Sequence, residues 1–246
     1  MPSVTFVLAT VVASVAMLLL QPVVGLDPAV LALVQLGPAI GAVATFLVHR
    51  RRLVAGRPDP VDARRFAAAL GAALAASVVF AGVLTVLGLA AGQELAGAHG
   101  VGAVPFVVVL GAQLLGATAE EIGWRGVLQP QLETRWSVVA AAVVTGVVWG
   151  LWHIQYVAAG ILIGAVFVFS TVVLSVLMAV VGRGTVLQRV VVASLVHWLV
   201  NISLLVALGD VVTLAAVLRW GVAAVVAAAV AVVLVRGVTR QARAAV

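Results

Sequence analysis

The chain predicts an all-α fold, a polytopic membrane protein of about eight transmembrane helices forming one bundle. Three observations predict it. Of 246 residues, 65% are apolar and 9% charged, with a mean hydropathy of +1.29, whereas soluble domains carry roughly 25% charged residues. Uncharged runs approach the ~20 residues that cross a bilayer, and eight spans leave about 31 residues each for helix and link. The 14 basic residues are all Arg and fall in alternate links. A soluble enzyme and a disordered chain are excluded, and no nucleic-acid partner is expected, because the arginines form no groove-facing stripe. There is no Cys, hence no disulfide, thiolate metal site or Cys nucleophile.

The first charge is Asp27, so residues 4–22 lack the basic start of a signal peptide and read as a retained span. The second and third spans cover residues 28–48 and 66–91. The fourth begins near Val101 and the fifth near Ser137. The last three cover residues 161–181, 186–208 and 211–235. Residues 1–246 read as a single integral membrane domain, with a motif-bearing core at residues 111–208. Arg50, Arg51, Arg52, Arg57, Arg64 and Arg65 crowd the 2–3 link, which the positive-inside rule places in the cytoplasm. Alternation then puts Arg135, Arg183, Arg236, Arg240 and Arg243 on that same side. Asp27, Glu94, His99 and Asp210 fall on the other. The expected location is the cell membrane, multi-pass, with both termini cytoplasmic.

Ionisable groups inside a bilayer are costly and mark function. The densest set is Ala119-Glu120-Glu121-Ile122-Gly123-Trp124-Arg125. With a helix running to about Gln129, Glu120 lies roughly 14 Å from its end, inside the membrane. Glu121 and Arg125, four apart, can pair on one face, while Glu120 points about 100° away. Next come Trp149-Gly150-Leu151-Trp152-His153 in span five and His197 with Asn201, again four apart, in span seven. A carboxylate or imidazole can deprotonate water, an amide or imidazole N–H can hold an oxyanion, and Glu with His can bind a metal. Taken singly, each has a structural reading: an ion pair for Glu121–Arg125, interhelical hydrogen bonds for His153, His197 and Asn201, and packing or cavity lining for Trp149, Trp152 and Trp198. His49 and His99 lie at helix ends or in links. Arg219, alone in span eight, snorkels or pairs with Asp210.

Taken together, Glu120-Glu121-x-x-x-Arg125, Trp149-x-x-x-His153 and His197-x-x-x-Asn201 on successive spans resemble the CPBP family of intramembrane endopeptidases, which includes the type 2 CAAX prenyl proteases and Abi-type proteins. The resemblance covers about residues 111–208. It implies that Glu120 activates water with help from His153, that His197 and Asn201 hold the carbonyl and its oxyanion, and that Glu121 and Arg125 brace the first helix. It implies hydrophobic or C-terminally lipidated substrates in a lipid bilayer. The cofactor stays open between none and one divalent metal, Zn²⁺ held by Glu120, His153 and His197.

Two expectations concern geometry. With the 4–5 turn centred near Glu133, Glu120 lies 13 residues before it and His153 20 after, a depth difference of about 10 Å in straight helices. A non-helical turn around Pro130 to Trp136 is expected to absorb this, because Pro130 interrupts the helix. The cavity is expected to open on the cytoplasmic, arginine-rich side. Other intramembrane protease signatures are absent: no HExxH, no GxSG-like serine site, and no second aspartate motif beside Gly209-Asp210. The competing functions are a proton-coupled transporter, with Glu120, His153 and His197 as relay, and a non-catalytic scaffold or immunity protein.

Overall fold

The structure, a computed structural model, describes residues 1–209 and 212–244, the side chains of 238–244 excepted. Asp210 therefore lies outside the described residues, as do the side chains of Arg240 and Arg243. The described chain is helical, in the order α1 (Pro2–Val24), a 3₁₀ turn (Leu33–Leu36), α2 (Gly37–Ala55), α3 (Ala63–Ala90), α4 (Phe106–Gly123), a π-helical turn (Trp124–Leu128), α5 (Gln129–Glu133), α6 (Val138–Trp152), α7 (Ile154–Ala158), α8 (Ile161–Val181), α9 (Val186–Leu208) and α10 (Leu214–Ala244). Seven of these segments are long and apolar enough to cross a membrane. Their outer faces carry large apolar residues such as Leu8, Val12, Leu47, Val78 and Val107, which suits contact with lipid rather than water.

Three expected boundaries are corrected. The second span starts at Leu33, not Pro28, because Asp27 turns the chain: Ala29 N donates to Asp27 Oδ1 at 2.9 Å and Val30 N to the Asp27 carbonyl at 2.9 Å. Gln21 then gathers the returning strand, donating to the carbonyls of Leu26 and Leu31 and accepting from Leu33 N at 2.6 Å. The fourth helix starts at Phe106, after Val101 and Val104 pair with each other. The fifth segment is no full span: α6 has 15 residues, about 22 Å against a ~30 Å hydrocarbon core. The helix stops at His153, whose φ −81°, ψ 60° is not helical. Together with α7, α6 still brings the chain to the start of α8, so the alternation of ends is kept.

Caps fix the remaining starts. The side chains of Asp62, Ser137 and Thr185 accept from Arg65 N, Ala140 N and Gln188 N at the starts of α3, α6 and α9, each satisfying a donor the helix leaves free. At α9 the capping box is complete, and Gln188 also donates to the carbonyl of Val61 at 2.9 Å, clipping the link between α2 and α3 to the first turn of α9.

The core lies where α3, α8, α9 and α10 meet, around Phe80, Leu84, Leu174, Leu177, Met178, Val192, Val196 and Val200. From α10 it takes Ala223, Ala224, Ala227 and Ala231, one helical face of small residues that admits close backbone approach. α6 packs on α8 equally closely. A Cβ at Gly146 would stand 2.6 Å from Val172 Cα, and Ser175 and Thr171 reach across to the carbonyls of Ala142 and Gly146 at 2.7 and 3.1 Å.

Candidate active site

Glu120 and Glu121 lie in the last turn of α4, both almost fully buried at 1% and 0% exposure. A buried carboxylate needs donors, and Glu120 has three. Trp149 Nε1 donates to Oε2 at 2.8 Å, Trp124 Nε1 to the same oxygen at 3.4 Å, and Gln35 Nε2 to Oε1 at 3.3 Å. Gln35 comes from the 3₁₀ turn before α2 and fits because position 116 is Gly; a Cβ there would stand 2.5 Å from Gln35 Oε1. Glu121 turns to the other side. Its Oε2 lies 2.9 Å from Arg125 Nη1, and Oε1 accepts from Arg125 at 3.1 Å and from His197 Nδ1 at 2.7 Å. The adjacent carboxylates thus hold different partners, as their ~100° separation on a helix demands. Arg125 also places its guanidinium 4.8 Å from the ring centroid of Trp149, a cation–π contact that backs the indole donating to Glu120.

The depth difference expected between Glu120 and His153 resolves differently from the expectation. Pro130 does not interrupt the helix; it sits in the first turn of α5, and only residues 134–137 leave helical structure. What departs from regularity is the π-helical turn, where Gln129 N bonds the carbonyl of Trp124, five residues back. Such turns cluster at functional sites. The residue level with Glu120 is Trp149, bonded to it directly. His153 lies one turn further along, where α6 ends.

Both histidines have one nitrogen assigned by its partner. A carbonyl or carboxylate oxygen only accepts, so His153 Nδ1 donates to the Trp149 carbonyl at 3.0 Å and His197 Nδ1 donates to Glu121. Each Nε2 remains for other chemistry. The ring of Trp149 lies 6.1 Å from His153 and 5.0 Å from His197, centroid to centroid.

Glu120, His153, His197 and Asn201 all line one cavity of about 220 Å³, which also touches Gln35 and Gln113. Tyr156, Phe167 and Trp220 form an aromatic wall, the first two stacked at 3.8 Å. An apolar annexe of about 200 Å³, between the end of α9 and the start of α10, shares Tyr156, Leu204, Gly209 and Trp220 with it. Arg219 does not line either space. Trp152 donates to Ser14 Oγ and Trp198 to the Leu110 carbonyl, so both act in packing. His49 accepts or donates a bond to Thr5 Oγ1 far from the site. Among the described residues no group of three or more His, Asp or Glu side chains is arranged to hold a metal ion. The expected set of Glu120, His153 and His197 does not fit one as these side chains stand, and the donors around Glu120 are indoles and an amide.

Sequence reasoning missed Gln35, Gln113, Tyr156 and the donor role of Trp149. Gln35 and Gln113 carried a usable signal, since each is an amide within a predicted apolar span.

The cavity also lies on the side not expected. Its lining includes Ala29 of the 1–2 link, Gly209 after α9, and Gln113, Phe167 and Trp220 near the starts of α4, α8 and α10. These are the helix ends opposite the arginine-rich links.

Residues 102–203 match the model of a family described as type II CAAX prenyl endopeptidase, Rce1-like. A stretch of 48 residues is 48% identical to CAAX prenyl protease 2 of Methanococcus maripaludis. That similarity covers 20% of this chain and spans 18% of the relative's length.

Proposed function

We propose, from the match of residues 102–203 to the Rce1-like CAAX endopeptidase family, that this multi-pass membrane protein is an intramembrane endopeptidase that cuts hydrophobic or lipidated peptide segments. The observation that carries this reading is the convergence of a buried, donor-held carboxylate, two imidazoles and an amide on one cavity. The other two readings, relay and scaffold, give no reason for an oxyanion-type pair beside that carboxylate.

In the proposed reaction Glu120 takes a proton from a water in the cavity as that water attacks the scissile carbonyl carbon. His153, its Nδ1 fixed on the Trp149 carbonyl, accepts a bond from the same water at Nε2 and orients it. His197, acting as an imidazolium whose Nδ1–H is held by Glu121, donates its second N–H, on Nε2, to the oxyanion. The side-chain amide of Asn201 offers a second donor. The proton held on Glu120 then passes to the departing amine nitrogen. Aimed donors in a site shielded from bulk water stabilise the developing charge strongly. Glu121 and Arg125 act through their neighbours: one holds His197, the other supports Trp149.

The test is Glu120→Gln assayed on a quenched fluorescent hydrophobic peptide. The expected loss is about 10²–10⁴-fold in kcat, with unchanged helical circular dichroism. Cleavage at the unaltered rate by the folded variant rejects the role of Glu120.

A further inference from the structure

The direction from which Glu120 can be reached follows from two independent features. On the arginine side the route is packed shut. Between Glu120 and that surface lie Trp124, Arg125, Leu128 and Gln129, each no more than 2% exposed. Behind them Glu133 pairs with Arg189 at 2.7 Å while accepting from Gln129 at 2.8 Å, and Arg189 also donates to the Gly184 carbonyl. On the opposite side the same carboxylate looks into the cavity, whose walls continue through Leu204, Leu205 and Gly209 to the helix ends and Ala29. The second feature is charge. Six arginines cluster at the end of α2, in the link after it and at the start of α3, and Arg135 and Arg183 lie in links on the same side; at the cavity end the described links hold Asp27 and Glu94 and no arginine, and Arg219 lies near the start of α10. By the positive-inside rule the packed end faces the cytoplasm.

We infer that the site opens to the extracytoplasmic face and takes hydrophobic peptide segments presented there, not cytoplasmic C-termini. The choice of substrate rests on the endopeptidase reading; the direction of opening does not. Water reaches Glu120 from outside through the cavity, and the apolar annexe beside Trp220 lies at the same end, where an emerging segment would first meet the protein.

Because the chain has no Cys, single Cys variants of the full protein read the direction directly. Cells expressing Ala29→Cys or Leu205→Cys in the cavity, Glu94→Cys in the 3–4 link or Arg57→Cys in the 2–3 link are treated with a membrane-impermeant maleimide. Ala29→Cys, Leu205→Cys and Glu94→Cys are expected to label fully in intact cells, and Arg57→Cys only after lysis. Labelling of Arg57→Cys in intact cells, with Glu94→Cys protected, overturns the orientation. Labelling of Glu94→Cys with both cavity positions protected overturns the opening. The quenched peptide, bearing charged ends that keep it from crossing membranes, is expected to be cut by right-side-out vesicles and not by inverted ones. Cleavage by inverted vesicles alone overturns the inference and upholds the peptidase. A peptide left uncut even by detergent-solubilised protein sinks the peptidase reading and the substrate choice together, and the labelling pattern then still decides the opening.

Discussion

The two ends of the α4–α9 pair are built from the same helices and behave in opposite ways. Toward the arginine-rich links the pair is sealed by Trp124, Arg125 and Leu128 and bolted by Glu133 and Arg189. Toward the other end it parts around a cavity edged by Gln113, Asn201 and Leu205. Charge and amide groups occur at both ends, so polarity alone does not distinguish structure from chemistry. What distinguishes them is whether each group's partner is another side chain or open space. Glu133 is paired with Arg189 and Glu121 with Arg125; Asn201, His153 and His197 border the cavity.

Variants can break this contrast. Arg125→Met is expected to have the largest effect, leaving Glu121 buried without its cation, a loss of about 3–5 kcal/mol read as a marked fall in thermal stability in detergent. A variant as stable as the parent would show that Arg125 holds nothing. Asn201→Ala should leave the melting temperature in place and lower kcat by about 10²–10³-fold, with little change in KM; a loss confined to KM would move Asn201 from the oxyanion to substrate binding. Trp149→Phe keeps the ring and removes the indole donor to Glu120. A hydrogen bond to a charged group contributes about 1.5–3 kcal/mol, which predicts a rate loss of roughly 10–100-fold, and an unaltered rate would reduce Trp149 to packing. Glu133→Gln, at the sealed end, should lower stability measurably and leave kcat of the surviving protein alone; a changed kcat there would erase the division between the two ends. Smallest of all is the effect expected of a chelator: since no described cluster of three side chains is arranged for an ion, cleavage should persist in EDTA, and its abolition with recovery on adding Zn²⁺ would restore the metal-bound reading of Glu120, His153 and His197.

Much of the fold was legible because bilayer thickness imposes a length and a composition on each span. The helices Ile161–Val181 and Val186–Leu208 coincide with the uncharged runs that predicted them. Elsewhere the apolar pattern hid local chemistry. Pro28 to Ala32 read as membrane helix on hydropathy, yet Asp27 and Gln21 capture their backbone in a turn. α6 looked like a full span because His153 and Gln155 barely lower the apolar content, although the helix ends at His153. The motif residues were legible through cost, since a Glu or His in lipid demands a reason. Their partners were not. Amides are cheaper to bury than charges, so Gln35 raised no alarm, and its bond to Glu120 spans 85 positions. The π-helical turn leaves no mark in composition, because one added residue per turn changes spacing and not residue type.

Six residues that line the cavity, Ala29, Gln35, Leu204, Leu205, Gly209 and Trp220, lie outside residues 102–203. The matched segment therefore carries Glu120, His153, His197 and Asn201, while the segments on either side supply part of the cavity wall. On the endopeptidase reading, changes in the segment before α2 or in α10 would reshape the space offered to a peptide while Glu120, His153, His197 and Asn201 stay in place, so two chains with identical motifs need not accept the same segments.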